Sequence, residues 1–431
     1  MGSAFRERPS SAGCNPPLRL PSIHLRPLNM PAQREGSIQE TARIYPESAT
    51  QASPDTQSNG PSLAYGYALA ARAVGMLNAW SAELPPACRR APAAAGAAAR
   101  PGTGAVAPGR RRPQLAIVVD TEEEFDWRSA FSSANTATSN IAAQALAHQI
   151  YDRFGVVPTY VIDYPVAIDP AARDLLGRLR SEGRAEIGAH LHPWVCPPHE
   201  EEVSQFNSYH CNLSPDLERA KIAVLTAAIE DGFGARPTVF KAGRYGFGQS
   251  TAATIADLGY EVDCSFVPHA SFAADGGPSF HFTPDRPFWL DAERRLLEVP
   301  MTSGFIGALA GAGGHLPGLF DSPLARRLRV PGMLARTGLV ARSALTPEGV
   351  SAGEQIALIK SLMRRGHSFF TLTYHSPSLA PGNTPYVKSE ADLTAFLQRI
   401  ETVLRAFKEE LGGDFTTVSR YRAALIGSAQ G

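Results

Sequence analysis

An α/β fold built from parallel βαβ units is the class this chain predicts, and three observations carry it. Short apolar runs recur from residue 115 to residue 418, amphipathic or Ser/Asp-Pro-capped stretches separate them, and the chemically capable side chains fall directly after the apolar runs. About seven or eight strands over residues 113–425 suit a distorted, incomplete (β/α) barrel of about seven strands, with an open doubly wound sheet as the rival.

Leu115-Ala-Ile-Val-Val119 reads as a strand buried on both faces. Asn140 is placed to cap a helix running through Phe154, with Ile141, Ala145, Ile150 and Phe154 near one face and Gly155 to stop it. Residues 157–162 form a second buried run. Asp169-Pro170, an N-cap followed by Pro at the first helical position, opens a helix to about residue 182. Residues 185–189 are strand-like, and Ser214-Pro215 repeats the helix start. A strand at 238–241, a helix at 250–258 and a strand at 260–264 follow. Strands at 296–300, 369–374 and 415–418 alternate with helices at 353–365 and 389–411. The last helix has the clearest period, through Leu393, Phe396, Leu397, Ile400, Val403, Leu404 and Phe407.

Composition narrows the function. The 431 residues are 44% hydrophobic, enough for a sizeable core. Lys+Arg and Asp+Glu are both 41, so the formal charge is zero and nothing steers the whole molecule toward nucleic acid or an anionic membrane. Five cysteines, Cys14, Cys88, Cys196, Cys211 and Cys264, contain no CxxC pair, which removes a zinc ribbon and argues for a reducing compartment. Residues 1–112 are rich in Ser, Pro, Ala, Gly and Arg and read as a disordered, low-complexity extension with one helix near 63–84. That apolar stretch is broken by Arg72 and Gly75 and does not read as a membrane span; with no signal-peptide pattern, a soluble cytoplasmic protein is expected. No G-x-G-x-x-G follows a strand and no G-x4-G-K-[ST] occurs, so nucleotide phosphates have no cradle.

Parallel barrels carry their chemistry at the C-terminal strand ends. The first strand ends Asp120-Thr-Glu122-Glu123-Glu124-Phe-Asp126-Trp127, an acidic cluster that is costly beside an apolar run unless solvated, paired or metal-bound. Asp120 and Glu122, two apart, point to one side of an extended chain. The third strand ends His190-Leu-His192-Pro-Trp194, and His-x-His aims both imidazoles at one point. The fourth ends Gly243-Arg244-Tyr245-Gly246, where Arg244 is suited to orient a carboxylate; Asp263 on the next strand is its candidate partner. Late in the chain, Leu372-Thr-Tyr-His375 brings a histidine to the barrel end, able to donate a proton.

Taken in order, these motifs resemble those of the NodB-type polysaccharide deacetylase family (carbohydrate esterase family 4). The runs Val119-Asp-Thr-Glu-Glu-Glu-Phe-Asp-Trp127 and Gly188-Ala-His-Leu-His-Pro-Trp194 look most like its WalW-like branch. The resemblance covers residues 113–425 and implies a hydrolase that removes N-acetyl or O-acetyl groups from a sugar or polysaccharide precursor. It implies Asp120 as general base, His375 as general acid, Arg244 and Asp263 as catalytic support, and one divalent metal ion, zinc first, with cobalt, manganese or iron as others. Glu122, His190 and His192 would hold that ion. The family's second metal histidine falls four residues after the first, where this chain has Trp194, so His192 takes its place. Trp127, Trp194 and Tyr245 are the expected substrate contacts, the partner an acetylated glycan.

Other readings compete. A glycosidase using Asp120 and Glu124 leaves the histidines without work. An amidohydrolase-type barrel has His-x-His on its first strand, where here acids come first. A catalytically silent glycan-binding or assembly barrel is favoured by the altered histidine spacing. Residues 303–349 carry Arg326, Arg327, Arg329, Arg336 and Arg342 with no acid between Asp321 and Glu348; they read as a crossover helix with a solvated face, or as a lid or patch for an anionic glycan.

Overall fold

The computed structural model describes residues 112–313, 320 and 322–427. The expected extension before residue 112, its helix near 63–84, Cys14 and Cys88 lie outside them. Seven strands run parallel in one curled sheet: β1 (Gln114–Thr121), β2 (Thr159–Ile162), β3 (Glu186–Leu191), β4 (Val239–Ala242), β5 (Val262–Asp263), β7 (Leu297–Glu298) and β10 (Phe369–His375), in the order β10-β1-β2-β3-β4-β5-β7. The edge strand β6 (Phe288–Trp289) is antiparallel to β7, and β11 (Asp414–Phe415) pairs with the start of β1, where β2 does not reach. This is the expected distorted barrel, left open on one side.

Helices pack outside the sheet: α1 (Gln144–Phe154), α2 (Pro170–Ser181), α3 (Pro215–Phe233), α4 (Gln249–Asp257), α5 (Ala352–Arg364) and α6 (Glu390–Arg405). Their starts follow from side chains that take up free N–H groups. Asp169 accepts from Ala172 N at 2.8 Å, Ser214 from Leu217 N, and Ser351 and Ser389 complete reciprocal boxes with Glu354 and Asp392. The cap expected at Asn140 is absent. Residues Ser139–Ala143 form a 3-10 turn, α1 begins at Gln144, and the Asn140 side chain is drawn into the site instead.

Strand alternation sorts the whole interior. Leu115, Ile117 and Val119 of β1 join the core beneath the helices, as do Tyr160, Ile187, Phe240 and Phe370. Ala116, Val118, Val161, Val239, Val262, Leu297 and Phe369 face the other way and form a second apolar cluster inside the curl. Val418 and Tyr421 of α7 (Val418–Gly427) belong to that cluster, and the Tyr421 ring lies 3.8 Å from Phe369 at the start of β10. The C-terminal helix thus fills the end where the strands begin. At the opposite end the same inward phase passes to Asp120, His190, Lys241, Thr373 and His375, so the apolar column is topped by polar side chains.

The open side is stitched by the base of a hairpin, β8 (Ser303–Ile306) with β9 (Ala341–Ala344). Thr302 bonds to the Thr371 backbone on β10, and Leu345 O accepts from Thr373 N at 3.1 Å. From this seam the hairpin runs along the C-terminal half of α5, where Phe305 O accepts from Ser361 and Gly304 packs on Leu358 and Leu362. The described part of residues 303–349 is thus a hairpin with short helices at its tip and not a single crossover helix, and Glu348 at its end returns to His375. Short helices at Pro323–Arg327 and Val330–Arg336 decorate its tip, where Arg327, Arg329 and Arg336 are exposed; the Arg326 side chain lies outside the described residues. Among the described residues, Cys196, Cys211 and Cys264 are free, and no helix is long and apolar enough to cross a membrane.

Candidate metal centre and active site

Glu122, His190 and His192 converge. Glu122 Oε2 lies 3.6 Å from His190 Nε2 and 3.4 Å from His192 Nε2, and all three side chains are buried. Ligands bonded at about 2.1 Å to a tetrahedral cation stand about 3.4 Å apart, so this spacing fits an ion seated among them. The other Glu122 oxygen, Oε1, is buried without a hydrogen-bond partner, an expense that a cation would relieve. Burial pushes the Glu122 carboxyl up to about 8 despite His375 and His192 nearby, which again marks a site short of positive charge.

Each histidine is oriented from behind. His190 Nδ1–H donates to Lys241 O at 3.0 Å, and His192 Nδ1–H donates to Glu123 Oε2 at 2.7 Å, which turns both Nε2 lone pairs toward Glu122. Burial depresses both imidazole pKa values, keeping the rings neutral as ligands must be. Glu123 also accepts from Trp194 Nε1 at 2.8 Å, and its own N–H donates to Asp163. Trp194 stacks on the His192 ring at 4.2 Å and is 1% exposed. It braces the histidine and presents no face to a ligand, contrary to its expected role as a substrate contact. Glu122 is held by its backbone: its N–H donates to Ser376 Oγ and its carbonyl accepts from Asn140 Nδ2, with Ser376 and Asn140 bonded to each other.

Asp120 and His375 stand beside this trio. Both Asp120 oxygens accept from Lys241 Nζ, at 2.5 and 2.8 Å, and Lys241 donates also to Thr373. Burial alone would raise the Asp120 carboxyl, but Lys241, then His190 and His375, hold it below the usual value, so it is ionised. His375 Nε2 lies 3.7 Å from Asp120 Oδ2, and its Nδ1 lies 2.9 Å from Glu348 Oε2. Burial opposes protonation of His375, yet Glu348, Glu122 and Asp120 together push its pKa up to about 10. Trp127 meets the His375 ring edge-on at 4.9 Å.

Two expected partners are corrected. Arg244 bonds to neither Asp120 nor Asp263; it donates to Ser208 and Gln205 O. Lys241 is the cation on Asp120. Asp263 follows inward-facing Val262 by one residue, so it points out of the curl, bonding Ser265 and facing Glu298 beside it on β7. It does not reach the site. Tyr245 packs on Phe272, with Lys241 Nζ 5.4 Å from its ring centroid. Glu124, the second acid of the glycosidase reading, is taken up by Ser139 and Asn140 N. Lys241, Glu123, Asp163 and Glu348 had no role in the sequence reading.

No protein-family model matches this chain, and no curated protein matches it. Among solved structures it is similar to a protein of Mycobacterium smegmatis assigned by its description to the polysaccharide deacetylases, at 15% identity and TM-score 0.42, over 77% of this chain and 96% of that one. It is also similar to the Puue allantoinase, at 13% identity and TM-score 0.43, over 73% and 91%. A family 4 acetyl xylan esterase from Clostridium thermocellum, solved with a cobalt ion, is similar at 13% identity and TM-score 0.34, over 71% and 89%. At these values the likeness assigns no activity to this chain.

Proposed function

We propose that this protein is a metal-dependent hydrolase that removes an acetyl group from an amino sugar or a surface-polysaccharide precursor, of the NodB type and nearest its WalW-like branch. One observation carries the reading: a carboxylate and two imidazoles converge at 3.4–3.6 Å, flanked by an ionised acid and a protonated histidine paired on adjacent strands. Two histidines and one glutamate are a recurrent catalytic zinc set, and zinc is the cation we assign to Glu122, His190 and His192. When bound, such a cation polarises a carbonyl oxygen and acidifies water.

The chain's own groups divide the remaining work. Asp120, kept ionised by Lys241, accepts a proton from the attacking water at a carboxylate oxygen. His375 carries its proton on Nε2, because Nδ1 is committed to Glu348, and delivers it to the departing amine. Trp127 walls the His375 side and limits water there. An acetamide needs both transfers, since its carbonyl is a poor electrophile and its amine a poor leaving group.

Acetate release from N-acetylated oligosaccharides by metal-supplemented protein tests this. Asp120→Asn and His375→Ala should each lower turnover by about 10²–10⁴-fold, with bound metal largely retained in the His375 variant. Release that is absent in the wild type, or undiminished in either variant, overturns the assignment.

A further inference from the structure

Gly243, the residue before Arg244, lies flat against the metal centre: a Cβ there would run into the Leu191 carbonyl and stand 2.5 Å from the His192 ring. The chain then enters two consecutive left-handed residues, Arg244 (φ 52°) and Tyr245 (φ 59°), a backbone that non-glycine residues adopt at a cost. This turn throws the Arg244 guanidinium between two rings, 4.2 Å from Tyr209 and 5.0 Å from Phe131. Phe131 in turn packs on Trp194 at 4.5 Å, and Trp194 on His192. A cation is thus fixed one ring ladder away from the candidate metal ligands.

Its neighbours do not neutralise it. Its hydrogen bonds go to neutral groups: Nη1 donates to Ser208 Oγ and Gln205 O, and the Tyr209 side chain takes another. Among the described residues no carboxylate lies within ion-pair distance of Arg244; Asp275 acts on it only through space. The group is half-buried, and a half-buried guanidinium held by rings and neutral oxygens still favours an oxyanion where it meets solvent.

We propose that Arg244 is a specificity-determining residue that receives a carboxylate on the sugar unit next to the acetylated one, which makes the substrate class an acidic, uronate-containing glycan. The position of the acetyl group rests on the deacetylase reading above; the capture of the anion does not. A planar, two-oxygen group matches the planar guanidinium fork, whereas phosphate would meet it as a bulkier tetrahedral ion.

Binding and hydrolysis are measured separately on full-length, metal-supplemented protein. The probes are a disaccharide of N-acetylglucosamine and glucuronic acid, its methyl ester, and N-acetylglucosamine 6-phosphate. By calorimetry the free acid should bind the wild type at least tenfold more tightly than the ester. Arg244→Gln should bring the two affinities together, and Arg244→Lys should restore part of the gap, with thermal unfolding showing that the variants are folded. Equal binding of acid and ester by the wild type, or an equal loss for both in Arg244→Gln, overturns the proposal, as does a stronger preference for the phosphate probe. Acetate release from the same probes reports on the deacetylase reading alone, so Arg244-dependent binding without release would sink that reading and leave the anion site standing.

Discussion

Lys241 Nζ grips both oxygens of Asp120, at 2.5 and 2.8 Å, across the inside of the curl, with the lysine side chain 1% and the aspartate 3% exposed. Two buried charges on facing strands, 121 residues apart in the chain, hold each other in place. Removing one partner leaves the other stranded, at about 3–5 kcal/mol. Lys241→Met should therefore lower the urea-derived stability by that order. Lys241→Met with Asp120→Asn should recover much of it, because no bare charge remains. Losses that simply add in the double variant would contradict a direct pair.

Glu348 governs the acid. Glu348, with Glu122 and Asp120, holds the His375 pKa up to about 10, so the proton is present below that value and lost as pH rises through it. Glu348→Gln keeps the shape and removes the charge. The alkaline limb of the kcat/KM profile should move to lower pH by about one unit or more. An unmoved limb in a folded variant would detach Glu348 from His375.

Glu123 acts on the metal through His192. Its two oxygens serve two donors, His192 Nδ1–H and Trp194 Nε1–H. A glutamine there offers one acceptor and points an N–H₂ at the other donor. Glu123→Gln should weaken metal affinity about 10–100-fold, measured by competition with a chelator. Unchanged affinity would show that His192 needs no support.

Far from the site, Asp285 faces His367 Nε2 at 3.1 Å, Arg365 at 3.7 Å and His269 at 3.9 Å. Partial burial raises its carboxyl pKa, but the neighbouring His269 and His367 imidazoles and the Arg365 guanidinium drive it far below the usual range. A depressed folded pKa gives stability that is whole above the unfolded value near 3.9 and is lost as pH falls below it. Asp285→Asn should destabilise the protein at pH 7, and the gap to wild type should narrow between about pH 4 and pH 3 in urea titrations. A gap independent of pH would contradict the ionic account.

Much of the site was legible because strand ends concentrate it. Asp120, Glu122, His190, His192 and His375 each follow an apolar run, and the inward phase that brings them together is the same period of two that buries the run. That period also explains the error at Asp263: it sits between inward-facing Val262 and Cys264, so it had to point outward. Lys241 carried a readable signal as the lone cation in Val-Phe-Lys-Ala, in phase with Val239. Glu348 was hidden because its partner His375 meets it only through the seam of the barrel, after a hairpin that local periodicity did not reveal. Arg244 does not meet its expected partner Asp263 because two left-handed residues redirect it, and nothing in side-chain type announces that.

The most direct measurement is the metal content of the purified, dialysed protein by elemental mass spectrometry, beside a His190→Ala/His192→Ala double variant. About one divalent ion per chain in the wild type, and its loss in the folded double variant, is the predicted result. A metal-free wild type that takes up no ion on supplementation, or equal uptake by the variant, would contradict the convergence of Glu122, His190 and His192 on a cation.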